Sequence, residues 1–290
     1  MNKPHLSRRD FLGRLLLFGG PPAAAIYARG IEPRLHRLSR VPVRLPRLAP
    51  GAAPLRVLHL SDMHASDVVP LSLIARAFEL GLRERPELIL LTGDFITRQI
   101  RDRDGYLRLL RRLSDAAPCF ACPGNHDGGR WAHWAGGYER LDEISALLRD
   151  AGIGFLHNES TALSIAGRAV ELVGAGDDWA GDVDAARAFA GLGPCGAALR
   201  LLLSHNPDAK RYFGAYDWDL MLCGHTHGGQ LILPLIGRPF APVRDLAYVE
   251  GLHPWQGRLI HTTRGIGNLH GVRFNCRPEV SLLEIGGPEI

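Results

Sequence analysis

Lysine is nearly missing from this chain of 290 residues. Lys3 and Lys210 are the only two, and arginine supplies the rest of the 34 basic residues. The arginines are scattered, and the formal net charge is only +4. A nucleic-acid face concentrates basic residues on one surface, so that class is disfavoured and the arginine bias is compositional. Cysteine is scarce too. Cys119, Cys122, Cys195, Cys223 and Cys276 are too few, and odd in number, for a disulfide framework in a chain this long. Cys119 and Cys122 form the one C-x-x-C, inside an apolar run that reads as a strand. Residues three apart on a strand stand roughly 10 Å apart and face opposite ways, beyond the ~7 Å that a disulfide spans. With no second pair there is no zinc cage. Repeats and low-complexity segments are absent, as is any strongly apolar run of the ~20 residues that cross a membrane. What is left is ordinary globular composition, 46% hydrophobic and 22% charged, in a chain long enough for one large core.

The N-terminus carries an address. Ser7-Arg8-Arg9-Asp10-Phe11-Leu12 precedes a mildly apolar stretch, Phe11 to Ala28, which Arg14, Gly19, Gly20, Pro21 and Pro22 interrupt. Twin arginines before a weak apolar core resemble a twin-arginine export signal. Ala23-Ala24-Ala25 or Ala28 would offer a cleavage site. The alternatives are an uncleaved membrane anchor or a cytosolic basic tail. Residues 1–28 are therefore read as signal or anchor, with the twin-arginine export machinery as partner. The expected location is the periplasm or the outer face of the cytoplasmic membrane. That machinery carries folded proteins, so a metal site would be filled in the cytoplasm, where supply decides which ion binds. Residues 29–54 are read as a linker and edge strand. Arg34, Arg37, Arg40, Arg44 and Arg47 hint at a basic membrane-surface helix. Pro42 and Pro46 oppose it, and Val41, Val43 and Leu45 alternate as a strand does.

Residues 55–290 read as one domain. Strands are expected at Leu55–Leu60, Leu88–Leu91, Cys119–Cys122, Leu199–Leu203, Leu220–Cys223, Leu231–Leu233, Leu259–Thr262 and Val280–Ile285. A hairpin is expected around Gly167, from Leu163–Ile165 to Ala169–Val173. Helical periodicity covers Leu71–Glu84, Tyr106–Leu113, Glu139–Asp150 and Asp182–Leu192. Such alternation implies an α/β protein with mixed sheets.

Five polar blocks follow apolar runs: Asp62-Met63-His64, Gly93-Asp94, Gly124-Asn125-His126-Asp127, Ser204-His205 and Gly224-His225-Thr226-His227. Open α/β sheets bind ligands at the carboxyl ends of their strands. Each block alone is weak, since Asp-x-His and Gly-Asp are common in turns. Asn125, His126 and Asp127 in a row are costly to bury without purpose. His225 and His227, two apart on extended backbone, point the same way, and glycines beside them allow a tight turn. Together the blocks hold the ligands of a two-metal site with a histidine to spare. Mixed oxygen and nitrogen donors suit Mn, Fe or Zn better than Ca or Mg. Two dications carry about +4 and two carboxylates remove about 2, which leaves a cationic site for a phosphate anion.

These blocks resemble those of the calcineurin-like metallophosphoesterases, and the likeness runs from Leu55 onward with no block altered. Arg264-Gly265-Ile266-Gly267 and Val272-Arg273-Phe274-Asn275 are similar to a bacterial branch with twin-arginine signals or N-terminal anchors. The resemblance implies a four-layer αββα sandwich of two mixed sheets flanked by helices. It implies that Asp62, His64 and His227 hold one divalent ion, that Asn125, His205 and His225 hold the other, and that Asp94 bridges them. His126 would face the substrate and serve catalysis, as an imidazolium that stabilises or protonates the leaving oxygen. A metal-bridging hydroxide would be the nucleophile. Asp127 would orient His126, or act as a turn or capping carboxylate.

Other residues carry less. His59 is expected at a sheet interface. Trp131, His133 and Trp134 would form a substrate lip or pack at the surface. Gly176-Asp177-Asp178-Trp179 is turn chemistry. Arg264 and Arg273 would contact phosphate or, the preferred reading, serve structural roles, and substrate-binding residues are left unassigned. The expected reaction is hydrolysis of a phosphodiester or phosphomonoester. The alternative is a pyrophosphatase acting on a lipid nucleotide of the UDP-2,3-diacylglucosamine type, with Leu235–Trp255 in peripheral contact with the membrane. A non-catalytic metal-dependent binding module is the third class, disfavoured by an intact His126.

Overall fold

Apolar runs of four to six residues, bounded by glycine and polar residues, fold as the central strands of two sheets. The computed structural model describes residues 20–288 apart from 52, 195 and 197. The twin-arginine stretch Ser7–Leu12 and Cys195 lie outside the described residues. In the first sheet the order is β1 (Arg37–Arg44), β12 (Glu279–Gly286), β2 (Leu55–Leu60), β3 (Leu88–Thr92), β4 (Cys119–Cys122) and β5 (Gly154–Phe155). Only the β12–β2 pairing is antiparallel. The second sheet runs β10 (Gly251–Trp255), β11 (Arg258–Thr262), β9 (Leu220–Cys223), β8 (Leu199–Leu203), β7 (Arg168–Gly174) and β6 (Glu159–Ile165). Its outer pairs are antiparallel and its inner pairs parallel. Both sheets are mixed.

Alternation along the strands builds the layers. Val57, Leu88, Leu90, Leu283 and Ile285 meet Leu201, Leu203, Leu220 and Leu222 between the sheets. Leu58, Leu60, Ile89, Leu91 and Val280 face outward, under α2 (Leu71–Leu82), α3 (Arg103–Ser114) and α5 (Asp142–Asp150). In α2, Leu73, Ile74, Ala77, Phe78 and Gly81 are buried, one helical face. Full burial of a side chain such as Phe78 contributes about 2–3 kcal/mol. On the far side Val173, Leu202, Met221 and Ile260 lie under α6 (Ala185–Ala188) and the 3-10 turn Pro207–Tyr212. The result is helices, sheet, sheet, helices, the expected four layers. Strand β3 is buried on both faces, which is why it reads as an apolar run, and β8 is equally buried although Arg200 interrupts it, paired with Glu171 at 2.7 Å.

Several expectations change. Asp182–Leu192 keeps only one helical turn, α6, capped by Asp184 accepting from Arg187 N at 2.9 Å. It ends at Ala188, with Phe189 as its C-cap. Leu231–Leu233 is not a strand. Leu231 bridges only Phe274, and Leu233 turns back on Gly237, because Pro234 cannot donate to a ladder. Edge strand β1 starts at Arg37 rather than Val41, and Pro42 is tolerated because β1 has one neighbour. A basic helix through Arg34–Arg47 does not form. Strands β5 and β10 and the short α4 (Arg130–Trp134) were not anticipated. Both strands are poor in sequence signal: β5 has two residues and β10 contains Pro254.

The segment before β1 is docked on the body. Helix α1 (Gly20–Ile26) leads into a π-helical turn, Tyr27–Ile31, and a 3-10 turn, Glu32–Arg34. The Ala28 carbonyl accepts from Arg273 N at 2.9 Å. The Glu32 carboxylate is buried and accepts from Asn275 N and Cys276 N. Among the described residues no helix is long and apolar enough to cross a membrane.

Candidate metal centre

Five strand ends converge where the two sheets meet. β2 delivers Asp62 and His64, β3 delivers Asp94, β4 delivers Asn125, His126 and Asp127, β8 delivers His205, and β9 delivers His225 and His227. All are buried. The β2–β3 pairing continues past the strands, with Asp62 N donating to Gly93 O at 3.0 Å and His64 N to Asp94 O at 2.9 Å. The local backbone is strained. Asp62, His64, Asp94, His225 and His227 have φ of 56°, 48°, 55°, 67° and 50°. Left-handed backbone costs a non-glycine residue roughly 1–2 kcal/mol, though Asp and His are among the types that tolerate it better. The surrounding fold over-determines it, as functional sites often require. Close approach explains two glycines. A side chain on Gly124 would run into the Asp94 carboxylate, and one on Gly224 into Ser61 and Asp62.

The donors form two corners. At one, His64 Nε2 lies 3.2 Å from His227 Nε2, and His227 Nε2 lies 3.4 Å from Asp62 Oδ1. At the other, the His205 and His225 rings stand 5.1 Å apart by centroid, and His225 Nδ1 meets Asn125 Oδ1 at 2.9 Å. Asp94 lies between, with Oδ2 at 3.3 Å from His64 Nε2 and 3.1 Å from His205 Nε2. Asp62, His64 and His227 hold ligand atoms within 4.8 Å of one another, and so do Asp62, Asp94 and His205. His64, Asp94 and His126 meet the same distance.

Fit to metal rests on what these donors lack. His225 Nε2 is buried without a hydrogen bond, a costly state for a polar atom, and His205 Nε2 has only the Asp94 carboxylate at 3.1 Å to face. His205 Nδ1 is held by Thr92 O at 2.6 Å, which leaves Nε2 to face the centre, the arrangement of a ligating histidine. Burial pushes His64 and His225 down to about 3 and His227 well below its usual range. Neutral imidazoles offer the lone pairs that a metal takes. Burial alone would lower His205, but Asp94 overcomes it and raises His205 well above 6.5. Burial lifts Asp62 to about 6. Asp94 resists its own burial, because His205, His126 and His64 hold it well below the usual carboxylate range. The residues present fit a pair of divalent ions.

His126 sits at the edge. Its N–H donates to Asp94 Oδ1 at 2.9 Å, and Nδ1 meets Thr97 O at 2.8 Å. Thr97 therefore orients the ring, and the expectation that Asp127 does so is corrected. The Asp127 carboxylate instead accepts from Gly124 N, Asp94 N and Phe95 N, each at 2.8 Å. The ends of β3 and β4 lie side by side, and three converging N–H groups need one acceptor. Burial and the charge of Asp94 push Asp127 up to about 8.

Above the centre is a cavity of about 500 Å³. Trp131 packs on His126 at 4.3 Å and Trp179 on His225 at 4.4 Å, ring centre to ring centre. Trp179 was missed as a site residue. Its loop was read as turn chemistry, and Asp177 does turn it, accepting from Trp179 N at 2.8 Å and Ala180 N at 2.9 Å. Leu231, Phe240, Pro242, Leu269 and Val272 complete an apolar wall. His133 and Trp134 are exposed. His59 pairs with His261 Nδ1 at 3.0 Å and with Thr92 Oγ1 at 2.8 Å, between the sheets as expected. Arg273 is structural. It is fully buried and donates to the carbonyls of His227, Arg264, Gly265, Gly267 and Cys276.

Residues 55–229 match the family model described as calcineurin-like phosphoesterase. The chain is 43% identical to phosphodiesterase YaeI of Escherichia coli over 97% of this chain and 99% of that protein. It is 26% identical to UDP-2,3-diacylglucosamine pyrophosphatase LpxG of Chlamydia muridarum, over 92% and 94%. It is 28% identical to the uncharacterized metallophosphoesterase YkuE of Bacillus subtilis, over 97% and 98%.

Proposed function

This chain belongs to the calcineurin-like phosphoesterase family, and from that premise we propose that it hydrolyses phosphodiesters with two divalent ions, Mn, Fe or Zn. Asp62, His64 and His227 would hold one ion, Asn125, His205 and His225 the other, and Asp94, which lies between the two groups, would serve both. When bound, the ions supply electrophilic pull on phosphoryl oxygens and an activated water. The chain's own residues do the rest. Asn125 adds a donor without charge, so the centre stays cationic and attracts the phosphate. His126, with Nδ1 committed to Thr97 O, presents Nε2 to the leaving oxygen, where it donates a proton or a hydrogen bond. Trp131 and Trp179 shield the centre from bulk water. The observation that carries this reading is the meeting of Asp62, His64, Asp94, His205 and His227 within ligand reach, with His126 beside them. A panel of diesters, monoesters and nucleotide-lipid pyrophosphates, run with each metal, tests it. Metal-dependent cleavage of diesters is expected, and inactivity toward the whole panel would favour a binding module.

A second reading, lipid-nucleotide pyrophosphatase, draws on the LpxG relatives and on the rim. Leu235, Ile236, Phe240 and Leu246 are exposed, and Phe240 also lines the cavity, an apolar display that suits peripheral membrane contact. Residues 1–28 would export or anchor the domain outside the cytoplasm, whereas a nucleotide-lipid substrate calls for a cytoplasmic-facing site. Protease protection in spheroplasts separates the two. Digestion of the domain in intact spheroplasts supports export, and protection supports the pyrophosphatase.

A further inference from the structure

Two spaces meet at His126. One is the cavity of about 500 Å³ with its apolar wall of Leu231, Phe240, Pro242 and Val272. The other is a groove of about 820 Å³ with a mixed lining, in which Asp67, Arg98 and Arg101 stand beside the apolar Val68, Ile100 and Leu269. His126 and Trp131 line both. The loop that borders the groove is the same loop whose Thr97 carbonyl holds His126 Nδ1, so the groove is fixed relative to the reacting centre.

The groove carries a free cation. Arg98 is exposed and makes no hydrogen bond or ion pair among the described residues. Arg101 pairs with Asp67 at 2.9 Å, but both side chains are about 70% exposed (70% and 72%), and such pairs are weak and easily exchanged. Asp102 is occupied at the start of α3, accepting from Gly105 N at 2.8 Å. The balance along the groove is positive.

Phosphorus in a monoester bears one organic arm; in a diester it bears two, and in a disubstituted diphosphate it bears one organic arm and one phosphoryl arm that leads to the second. A centre flanked by an apolar cavity and a cationic groove fits a substrate with one arm of each kind. We propose that the groove is the subsite for the polar arm, and that Arg98 recognises an anionic oxyacid group on that arm. The substrate class is thus an amphipathic phosphodiester or diphosphate whose polar side carries a further negative charge. This inference rests on the phosphoesterase function proposed above. A guanidinium suits the task, because its planar fork meets an oxyanion with two parallel hydrogen bonds.

A matched pair of synthetic substrates tests it. Both are phosphodiesters of dodecanol, one esterified to ethylene glycol and the other to glycol monophosphate, which adds a terminal phosphate. The readout is the ratio of kcat/KM for the phosphorylated over the plain ester, using the full chain loaded with manganese. Wild type should prefer the phosphorylated ester by about tenfold. Arg98→Gln should bring the ratio to about one, and Arg98→Lys should restore part of it. A merely structural role for Arg98 would depress both esters equally and leave the ratio where it was, which would overturn the subsite. So would a wild-type ratio of one or less. Failure of wild type to cleave either ester would instead sink the phosphoesterase reading, and the subsite with it.

Discussion

The floor and the rim of this site are built in opposite ways. The floor consists of strand ends: buried, cross-tied by backbone hydrogen bonds, and forced into left-handed φ at Asp62, His64, Asp94, His225 and His227. The rim consists of loops that leave Phe240 exposed and Arg98 without a partner among the described residues. Strain is tolerable on the floor because two packed sheets hold it, and chemistry needs that rigidity. The rim has no such support, so specificity can vary there without disturbing the reaction.

The sharpest way to break this comparison is to cut the floor. Asp94→Ala removes the carboxylate that spans both corners and the acceptor of His126 N–H. Turnover should fall by about three orders of magnitude or more, measured as kcat on a diester at saturating metal. Next is His126→Ala, expected to lower kcat about 10²- to 10⁴-fold, most for poor leaving groups. An equal loss for good and poor leaving groups would move His126 out of the proton-donating role. On the rim, Trp179→Ala should raise KM several-fold for substrates with an apolar arm and change kcat little. A large kcat effect would make the rim part of the floor.

Stability sharpens the comparison further. Asp127→Asn keeps the shape but leaves one side-chain oxygen where three N–H groups need acceptors. A loss of about 1–3 kcal/mol is expected by urea denaturation of the metal-free protein, against a few tenths for Trp134→Ala on the exposed side of α4. The smallest effect concerns the docked N-terminal segment. Burial holds His36 at about 4, against 6.5 for the free side chain. The unfolded chain therefore takes up a proton between pH 6.5 and about 4 that the folded chain refuses. The stability due to neutral His36 is present above pH 6.5 and is lost as pH falls through that window. Relative to wild type, His36→Gln should show a flatter decline in Tm from pH 6.5 to pH 4.

The same contrast decides what can be read from sequence. The floor was legible because each ligand follows a mostly apolar run such as Leu55–Leu60 or Leu199–Leu203, interrupted only by Arg56, His59 and Arg200. Asp127 shows the limit there. Its position was visible, but its three backbone partners come from a strand end 32 residues earlier and from its own turn, and no local pattern encodes that. The rim was hardly legible. Trp179 reaches the site because Asp177 turns its loop, and Arg98 borders a groove only because α4 packs across from it. The Leu231–Leu233 run looked like a strand until Pro234 denied it a partner. Asp177 and Pro234 act within their own loops, and only the Arg98 groove depends on a distant element.

Metal content measured by plasma mass spectrometry on wild type, Asp94→Ala and His126→Ala, purified side by side, tests the central claim most directly. Two ions per chain are expected in wild type and in His126→Ala, and one or none in Asp94→Ala. Two ions retained without Asp94, or ions lost with His126, would contradict the division of the floor into a bridged metal pair and a free histidine.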